Sequence, residues 1–334
     1  MRKKIEKVRS KKNTFEEKFG AREYIETYYP NDLKLKDLLN IAKFLKSAYS
    51  KSDRFDLKNV SQYKRNVNLE MVENIAIFDF HRKVLGVLFK EFPQGNARVL
   101  DVGGGPTIYQ HIMLSLITDR IVHSEFLEKN RQEVMLWLRK EETAYTWDLY
   151  FELAQEMLRK DKTLTHWLKT GAVDTNKKIK AHARKVQRIL NTPSVDLFKH
   201  QVRKSIGDKV VHGDVFKENL DLPQEISSLF DIVTASFVVE GATGNRMKYN
   251  RGLKNVLKRI KPGGFFVHAS VRNATWYQVG EEQVPATPVN EEDIKNICIG
   301  NGYSVLFQRL LVGSNKRAVG YDGMIFTLAK KLIN

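Results

Sequence analysis

Cysteine, uninterrupted apolar stretches and acidic residues are all scarce in this chain of 334 residues. Its single cysteine, Cys298, excludes an intramolecular disulfide and a cysteine-based zinc site, and we predict no metal site. Charged residues interrupt every apolar run before the roughly 20 residues that a membrane-spanning helix needs. The first residues, MRKKIEKVRSKKN, lack the apolar core of a secretory signal. We therefore expect a soluble, cytoplasmic protein with no membrane partner.

The shortage of acids leaves the chain strongly basic. It has 56 lysines and arginines against 39 acids, a formal net charge of +17. Such a charge attracts nucleic acids, acidic substrates or anionic membranes. The excess is spread over the N-terminal arm, residues 160–204 and residues 254–261, without the RGG repeats or aromatic–basic alternation that indicate single-strand binding. We interpret it as a solvated surface and do not expect a nucleic-acid partner.

The hydrophobic pattern divides the chain in two. Residues 15–90 repeat apolar side chains at spacings of three and four, which predicts a helical region over residues 1–95. From residue 96 onward, branched apolar runs alternate with helical segments, the pattern of a wound α/β domain. We expect strands at residues 98–102, 120–126, 209–215, 231–237, 264–271, 304–311 and 324–329.

Two connections in this second part are unusual. No helical pattern separates the last two predicted strands, so they should form an antiparallel hairpin at the edge of the sheet. The interval 128–206 is too long for a single crossover and contains further helical text. It predicts a helical insertion at about residues 140–205.

The stretch ARVLDVGGGPTIYQ, residues 97–110, predicts a strand that ends in a glycine turn before a helix. Glycines allow close approach of a ligand, and the helix N-terminus offers free N–H groups to an anion. The alternative is a tight turn that binds nothing. Ile108 replaces the third glycine of a dinucleotide fingerprint, and Pro106 removes a useful N–H group, so a smaller nucleoside fits better.

Two acids follow the next two predicted strands. Glu125 lies twenty positions after Gly105, a spacing at which a carboxylate can accept hydrogen bonds from both hydroxyls of a ribose. Asp214, in the stretch HGDVF, stands where a carboxylate can bind the exocyclic amine of adenine while Val215 packs against the ring. Because ligands bind at the carboxyl ends of strands in such sheets, these acids and the glycines should meet.

These residues resemble the class I S-adenosylmethionine methyltransferases, and specifically the nicotinamide, phenylethanolamine and indolethylamine N-methyltransferase family. The resemblance covers AREYIETYYP near the N-terminus, residues 99–147, and residues 208 to the end, including IKPGGFF and WYQVGEE. Residues 32–65 and 151–205 contain no stretch that we can place in that family.

The resemblance implies a Rossmann-like, seven-stranded, mostly parallel sheet with an antiparallel last strand. Residues 1–95 would form a helical lid and residues 96–334 the domain that binds S-adenosylmethionine. It also implies which residues bind this cofactor: Tyr24 and Tyr29 of the lid, then Gly103, Gly104, Gly105, Thr107, Tyr109, Glu125, Asn130, Asp214, Val215 and Ser236.

The substrate side departs from the family pattern. Ser270 stands where better-known members carry an acid, and Ala286 where they carry a serine, while Tyr277 keeps a tyrosine. We therefore predict Tyr24, Ser270 and Tyr277 at the catalytic site, and nicotinamide and phenylethanolamine as poor substrates. The expected reaction is direct in-line methyl transfer to a small molecule, with nitrogen favoured by analogy.

Three titratable groups, Glu240, His268 and Glu281, lie nearby in the sequence. A lone histidine on a strand is more often structural than catalytic, so His268 is a weak candidate for a substrate contact. The sequence does not show whether a general base is used.

Two other functions stay open. An RNA methyltransferase would suit the charge, but residues 234–241 read TASFVVEG instead of the Asn/Asp-Pro-Pro-aromatic motif, and Cys298 lies in the wrong region for a nucleophile. An inactive binding protein of the same fold should have lost cofactor residues that are intact here. We expect a monomer or a homodimer.

Overall fold

The computed structural model describes residues 20–58, 69–226, 228–279, 282–313 and 319–333. Its N-terminal part contains the helices α1 (Ala21–Tyr28), α2 (Leu35–Tyr49) and α3 (Leu69–Glu91). Helix α2 buries Leu38, Ile41 and Leu45, which lie on one face at helical spacing, and packs against α3. Buried side chains of these helices join the larger hydrophobic core beside the sheet.

The centre of the fold is an eight-stranded sheet. Its strands are β1 (Arg54–Asp56), β2 (Val99–Val102), β3 (Ile121–Glu125), β4 (Val210–His212), β5 (Phe230–Ser236), β6 (Ile260–Arg272), β9 (Tyr303–Val312) and β10 (Gly323–Lys331). They lie in the order β1-β9-β10-β6-β5-β2-β3-β4. Strands β7 (Trp276–Val279) and β8 (Glu282–Pro285) form a separate antiparallel pair. Strand β2 lies inside the sheet and all four of its residues are buried, which explains why three of them, Val99, Leu100 and Val102, are apolar.

The remaining helices flank the sheet. They are α4 (Tyr109–Leu114), α5 (Glu128–Arg139), α6 (Asp148–Arg159), α7 (Lys162–Gly171), α8 (Lys177–Asn191), α9 (Asp196–Ile206), α10 (Arg246–Lys258) and α11 (Glu291–Gly300). Short 3₁₀ turns lie at Ser115–Ile117 and Gln224–Ile226. Several helices begin with a side chain that accepts a hydrogen bond from a backbone N–H of the first turn. At α11, Asn290 and Asp293 form a reciprocal capping box.

The sheet confirms the Rossmann-like prediction, with one correction. The N-terminal region is not entirely helical, because Arg54–Asp56 pairs in parallel with Leu310–Val312 and adds an eighth strand. The last two strands are antiparallel to each other as predicted. They do not form the edge, however, since β1 covers β9 and β10 pairs with β6 on its other side.

The long interval after β3 contains α5 and then the four helices α6 to α9. These helices pack against one another and against α3 and α4, on the face of the sheet that the N-terminal helices also cover. The division into a lid and a cofactor domain stays a prediction. None of the described helices is long and apolar enough to span a membrane.

Candidate active site

A cavity of about 470 Å³ opens at the carboxyl ends of the central strands β2, β3, β4 and β5. It brings together most of the residues that the sequence predicted for the site: Tyr24, Gly103, Gly104, Gly105, Thr107, Tyr109, Glu125, Asn130, Asp214, Val215, Ser236 and Tyr277. Residues distant in sequence therefore meet at one edge of the sheet, as the strand-end rule requires.

The glycine turn has a separate steric reason at each position. Gly103 has a φ of +64°, and a Cβ there would lie 2.0 Å from Cγ2 of Val238. A Cβ on Gly104 would lie 2.3 Å from Oδ2 of Asp101. Gly105 has a φ of +63°, but a Cβ on it would meet nothing within 4 Å. The turn is thus packed on its inner side and open towards the cavity at Gly105.

Glu125 ends β3 with its carboxylate held in a fixed orientation. One oxygen, Oε2, accepts a hydrogen bond from the N–H of Gly105 at 3.0 Å. The other, Oε1, accepts from the N–H of Leu127 at 2.8 Å and from the Asn130 amide at 3.1 Å. Oε2, which accepts only one hydrogen bond here, keeps an open lone-pair site for a further donor. The carboxylate is therefore oriented before any ligand arrives, which suits recognition of a diol.

Asp214 follows β4 and is fixed by the backbone. Its Oδ1 accepts a hydrogen bond from the N–H of Phe216 at 2.9 Å, and its own N–H donates to the carbonyl of Leu220. Val215 and Phe216 place apolar side chains on the same wall of the cavity. A carboxylate beside such a wall can bind the amine of a purine whose ring packs on the apolar surface.

Tyrosines close the cavity from three elements. Tyr24 comes from α1, Tyr109 starts α4 and Tyr277 lies on β7. Burial raises the pKa of all three hydroxyls above the usual value. They are thus neutral at physiological pH. Tyr29 is not among the lining residues; it is almost fully buried and stacks on the ring of Tyr109 at 5.0 Å, so it supports the wall from behind.

Helix α1 is attached to the rest of the molecule on both sides of the cavity. Arg22 pairs with Glu133 and donates to the carbonyl of Thr143 at 2.7 Å. The hydroxyl of Tyr28 donates to the carbonyl of Gln278 at 3.0 Å, on the β7 side. These contacts hold α1 against both α5 and the small hairpin.

A buried polar network lies behind the glycine turn. The Asp101 carboxylate accepts hydrogen bonds from Thr234 and, at 2.9 Å, from the Gln110 amide. Burial alone would raise the pKa of Asp101, but interactions with His111 and His123 outweigh it and hold the pKa at about 2. Burial lowers the pKa of His111 to about 3. At neutral pH this network therefore contains an ionised carboxylate and a neutral imidazole.

The structure places Ser270 away from the cavity wall. Its side chain is fully buried on β6, and its hydroxyl donates weakly to the carbonyl of Val271 at 3.3 Å. Its role at the catalytic site stays a prediction. Ala286 is also buried, where it packs with Ala274 and Tyr321.

A further buried acid, Glu240, lies one residue before the lining residue Gly241 and is not itself a lining residue. Its Oε1 accepts a hydrogen bond from the N–H of Val271 at 3.0 Å. Burial raises the pKa of Glu240 to about 7. His268 is buried with Nδ1 at 2.6 Å from the carbonyl of Ala235, and burial lowers its pKa to about 4. Glu281 lies outside the described residues.

Several lining residues had escaped the sequence reasoning. They follow the predicted strands or lie on the small hairpin: Phe126, Leu127, Phe216, Phe237, Val238, Gly241, Ala242, Thr243, Gly244, Val284 and Pro285. Their positions directly after strand ends were the available signal for the first members of this set. Nothing in the local pattern marked Val284 and Pro285.

The parallel sheet, the glycine turn and the two strand-end acids define a class I S-adenosylmethionine-dependent methyltransferase, whose cofactor is S-adenosylmethionine. The chain belongs to the NNMT/PNMT/TEMT family, whose model matches residues 52–166 and 157–332.

Individual relatives and solved structures are similar to this chain to different degrees. Phenylethanolamine N-methyltransferase of Mus musculus is 28% identical over 237 residues, 70% of each chain. Nicotinamide N-methyltransferase of Homo sapiens is 23% identical over 255 residues, 75% of this chain and 84% of that protein. Magnesium protoporphyrin IX methyltransferase of Synechocystis PCC 6803, solved with bound SAM, is 12% identical with a TM-score of 0.39, covering 80% of this chain and 85% of its own.

Proposed function

We propose that this protein transfers a methyl group from S-adenosylmethionine directly, in line, to a nitrogen of a small uncharged molecule. The observation that carries the proposal is the single cavity in which Glu125, Asp214 and the glycine turn lie together with Tyr24 and Tyr277. Glu125, Asp214 and the glycine turn can bind a nucleoside-containing methyl donor, and the two tyrosines can surround the methyl group that is transferred.

The residues of the cofactor end fit S-adenosylmethionine. The space beside Gly105 would admit the methionine part of the cofactor close to the backbone, because no atom lies within 4 Å of a Cβ placed there. Glu125 would accept the two ribose hydroxyls, and Asp214 the adenine amine, with Val215 against the ring. Asn130 and Ser236 would complete the cofactor contacts. When bound, the cofactor supplies an electrophilic methyl group on a sulfonium.

The tyrosines would act on the charge of that group. A cation over an aromatic face is stabilised by about 0.5–2 kcal/mol. Tyr24 and Tyr277 are neutral and partly buried, so they offer this stabilisation without adding a competing nucleophilic phenolate. With Phe237 they also exclude water from the transfer region.

The acceptor end carries no charged side chain among the described lining residues. The three lining carboxylates, Asp101, Glu125 and Asp214, all belong to the strands that form the cofactor end, whereas the hairpin and the loop after β5 contribute Phe237, Val238, Thr243, Tyr277, Val284 and Pro285. A charged acceptor would lose solvation there without a partner. An acceptor with an uncharged nitrogen lone pair fits, and it requires no obligate base for the displacement.

The proposal is tested by assaying a panel of amines, N-heterocycles, phenols and thiols, with the release of S-adenosylhomocysteine as the readout. We expect turnover of an uncharged nitrogen compound and a loss of roughly 2- to 30-fold in kcat/KM in Tyr277→Ala, the size expected from one lost aromatic contact. Exposed His200→Ala serves as the control and should behave as the wild type. Turnover confined to phenols or thiols would contradict the choice of nitrogen.

The alternative RNA substrate is tested with radiolabelled cofactor and total RNA. Incorporation into RNA that is lost in Glu125→Gln would overturn the small-molecule proposal. A cytoplasmic location, and a monomeric or homodimeric state, stay predictions.

A further inference from the structure

Three side chains with metal-binding atoms converge beneath the glycine turn. Asp101 and His123 are opposite each other in the β2–β3 pair, and His111 reaches them from α4. Nε2 of His111 lies 3.0 Å from Nδ1 of His123, and Oδ2 of Asp101 lies 3.3 and 3.4 Å from these two nitrogens. In the described part of the chain, this is the one group of three or more His, Cys, Asp or Glu side chains that could hold a metal ion.

The size of this triangle matches a metal site. Zinc binds imidazole nitrogen and carboxylate oxygen at about 2.0–2.1 Å in a tetrahedron, which places neighbouring ligand atoms about 3.3 Å apart. The two N···O distances of 3.3 and 3.4 Å equal that value, and the N···N distance of 3.0 Å is slightly shorter. One ion can therefore contact all three atoms without a rearrangement of the backbone.

The three facing atoms also suit an ion chemically. An imidazole nitrogen that carries no proton and an ionised carboxylate oxygen each present a lone pair. One cation at the centre of the triangle would accept the lone pairs of Nε2 of His111, Nδ1 of His123 and Oδ2 of Asp101 at once.

We propose that Asp101, His111 and His123 bind one divalent transition-metal ion of the zinc class. Two imidazoles and one carboxylate favour such an ion over Mg²⁺ and Ca²⁺, which prefer sets of oxygen ligands. The sequence analysis predicted no metal site of any kind, and its argument excluded only a cysteine-based one; the site proposed here contains no cysteine. The ion would connect β2, β3 and α4 directly under Gly104, whose lack of a side chain leaves room for the two ligands Asp101 and His123.

The affinity should be moderate. Metal-binding histidines usually donate their second N–H to a carboxylate or carbonyl, and loss of that partner weakens binding about 10–100-fold. The distal nitrogens of His111 and His123 have no such partner among the described residues. Competition with a chelator of intermediate strength is therefore the right measurement.

The full-length chain, produced without a histidine tag in medium supplemented with zinc, provides the test. We expect about one equivalent of zinc by mass spectrometry. After removal of metal, Zn²⁺ alone at a hundredfold excess over its Kd should raise Tm by about 2 °C or more. Less than a tenth of an equivalent together with an unchanged Tm would overturn the site.

Variants locate the ion. His111→Leu and His123→Val should lose the bound zinc, whereas the exposed-site variants His166→Ala and His200→Ala and the buried-site control His268→Leu should retain it. Retention of a full equivalent in both ligand variants refutes the assignment. If the ligand variants do not fold, Co²⁺ added to the metal-free wild type decides: strong visible d–d bands of a tetrahedral ion support the site, and their absence overturns it. Neither readout depends on the methyltransferase reaction.

Discussion

Replacement of Glu125 by glutamine is the sharpest perturbation of the cofactor end. The change keeps the shape of the side chain but removes its charge and turns one acceptor oxygen into a donor. In the structure, Oε2 faces the N–H of Gly105, and Oε1 faces the N–H of Leu127 and the Asn130 amide. Whichever way the amide is placed, one of these donors would face an NH₂ group. The variant therefore loses acceptors both within the protein and towards the ribose.

The expected size of the effect follows from the bonds lost. A hydrogen bond to a charged group is worth about 1.5–3 kcal/mol. The proposed site uses this carboxylate for two ribose hydroxyls, of which the amide can still accept one. The loss of one such bond raises the Kd by roughly 10- to 150-fold. The ribose is common to S-adenosylmethionine and S-adenosylhomocysteine, so both ligands should weaken by the same factor.

Calorimetric titration of both ligands measures this directly. Glu128→Gln, an exposed carboxylate three residues later on α5, is the matched control and should bind as the wild type does. Thermal unfolding of Glu125→Gln shows whether the variant is folded. A folded variant with a Kd within threefold of the wild type would refute the assignment of Glu125 to the ribose.

Three further predictions concern other parts of the site. Nicotinamide should be a poor substrate, because no described acceptor-end side chain supplies a carboxylate for its amide; efficient turnover by the wild type would show this reasoning to be wrong. Gly103→Ala should lower Tm more than Gly105→Ala, since only the first Cβ meets Val238, at 2.0 Å, whereas Gly105→Ala should weaken cofactor binding; equal Tm values would contradict the steric argument. Folded Glu240 holds its proton to about pH 7, but an unfolded chain releases it near 4.5, so the wild type should lose about 3 kcal/mol of stability relative to Glu240→Gln as pH rises from about 5 to 8. Chemical denaturation at several pH values measures this difference, and a constant difference would exclude the buried, protonated carboxyl.

Much of the sheet could be predicted because its strands differ clearly from the helices in period. Strand β2 is buried on both faces, and three of its four residues, Val99, Leu100 and Val102, are correspondingly apolar. Glycine at 103 follows at once, where the φ of +64° favours it. Local composition and local conformation therefore agree at this position, and such agreement is what a single sequence can reveal.

The sequence did not reveal the true edge strand of the sheet, because no local pattern marks it. Arg54–Asp56 is a strand of three residues with one buried side chain, too short to show alternation. Its pairing with Leu310–Val312 depends on contacts 250 positions away in the chain. Whether such a short segment forms an edge strand depends on the strand that it pairs with, and the local sequence does not show that partner.

Ser270 illustrates a second limit. Its position in the sequence relative to the family pattern is clear, yet the depth of a side chain within β6 depends on how that strand is covered. Glu240 binds the N–H of Val271, and β10 pairs alongside, so that the end of the strand is enclosed. The side chain that substitutes for an expected acid is consequently buried instead of facing the ligand.

The two ends of the cavity differ in how the chain builds them, and this explains why the cofactor was easier to infer than the acceptor. The glycine turn and Glu125 lie within one strand–helix–strand unit, so their spacing in sequence directly reflects their spacing in the fold. The acceptor end combines Tyr24 of α1, the loop after β5 and the hairpin at Tyr277 and Pro285, segments that lie far apart in the sequence and meet only in the fold. Loops tolerate substitution better than the scaffold that carries them, so side chains at this end can change while the sheet is kept. Substrate choice is therefore set where the sequence is least constrained by the fold, and the acceptor must be found by assay.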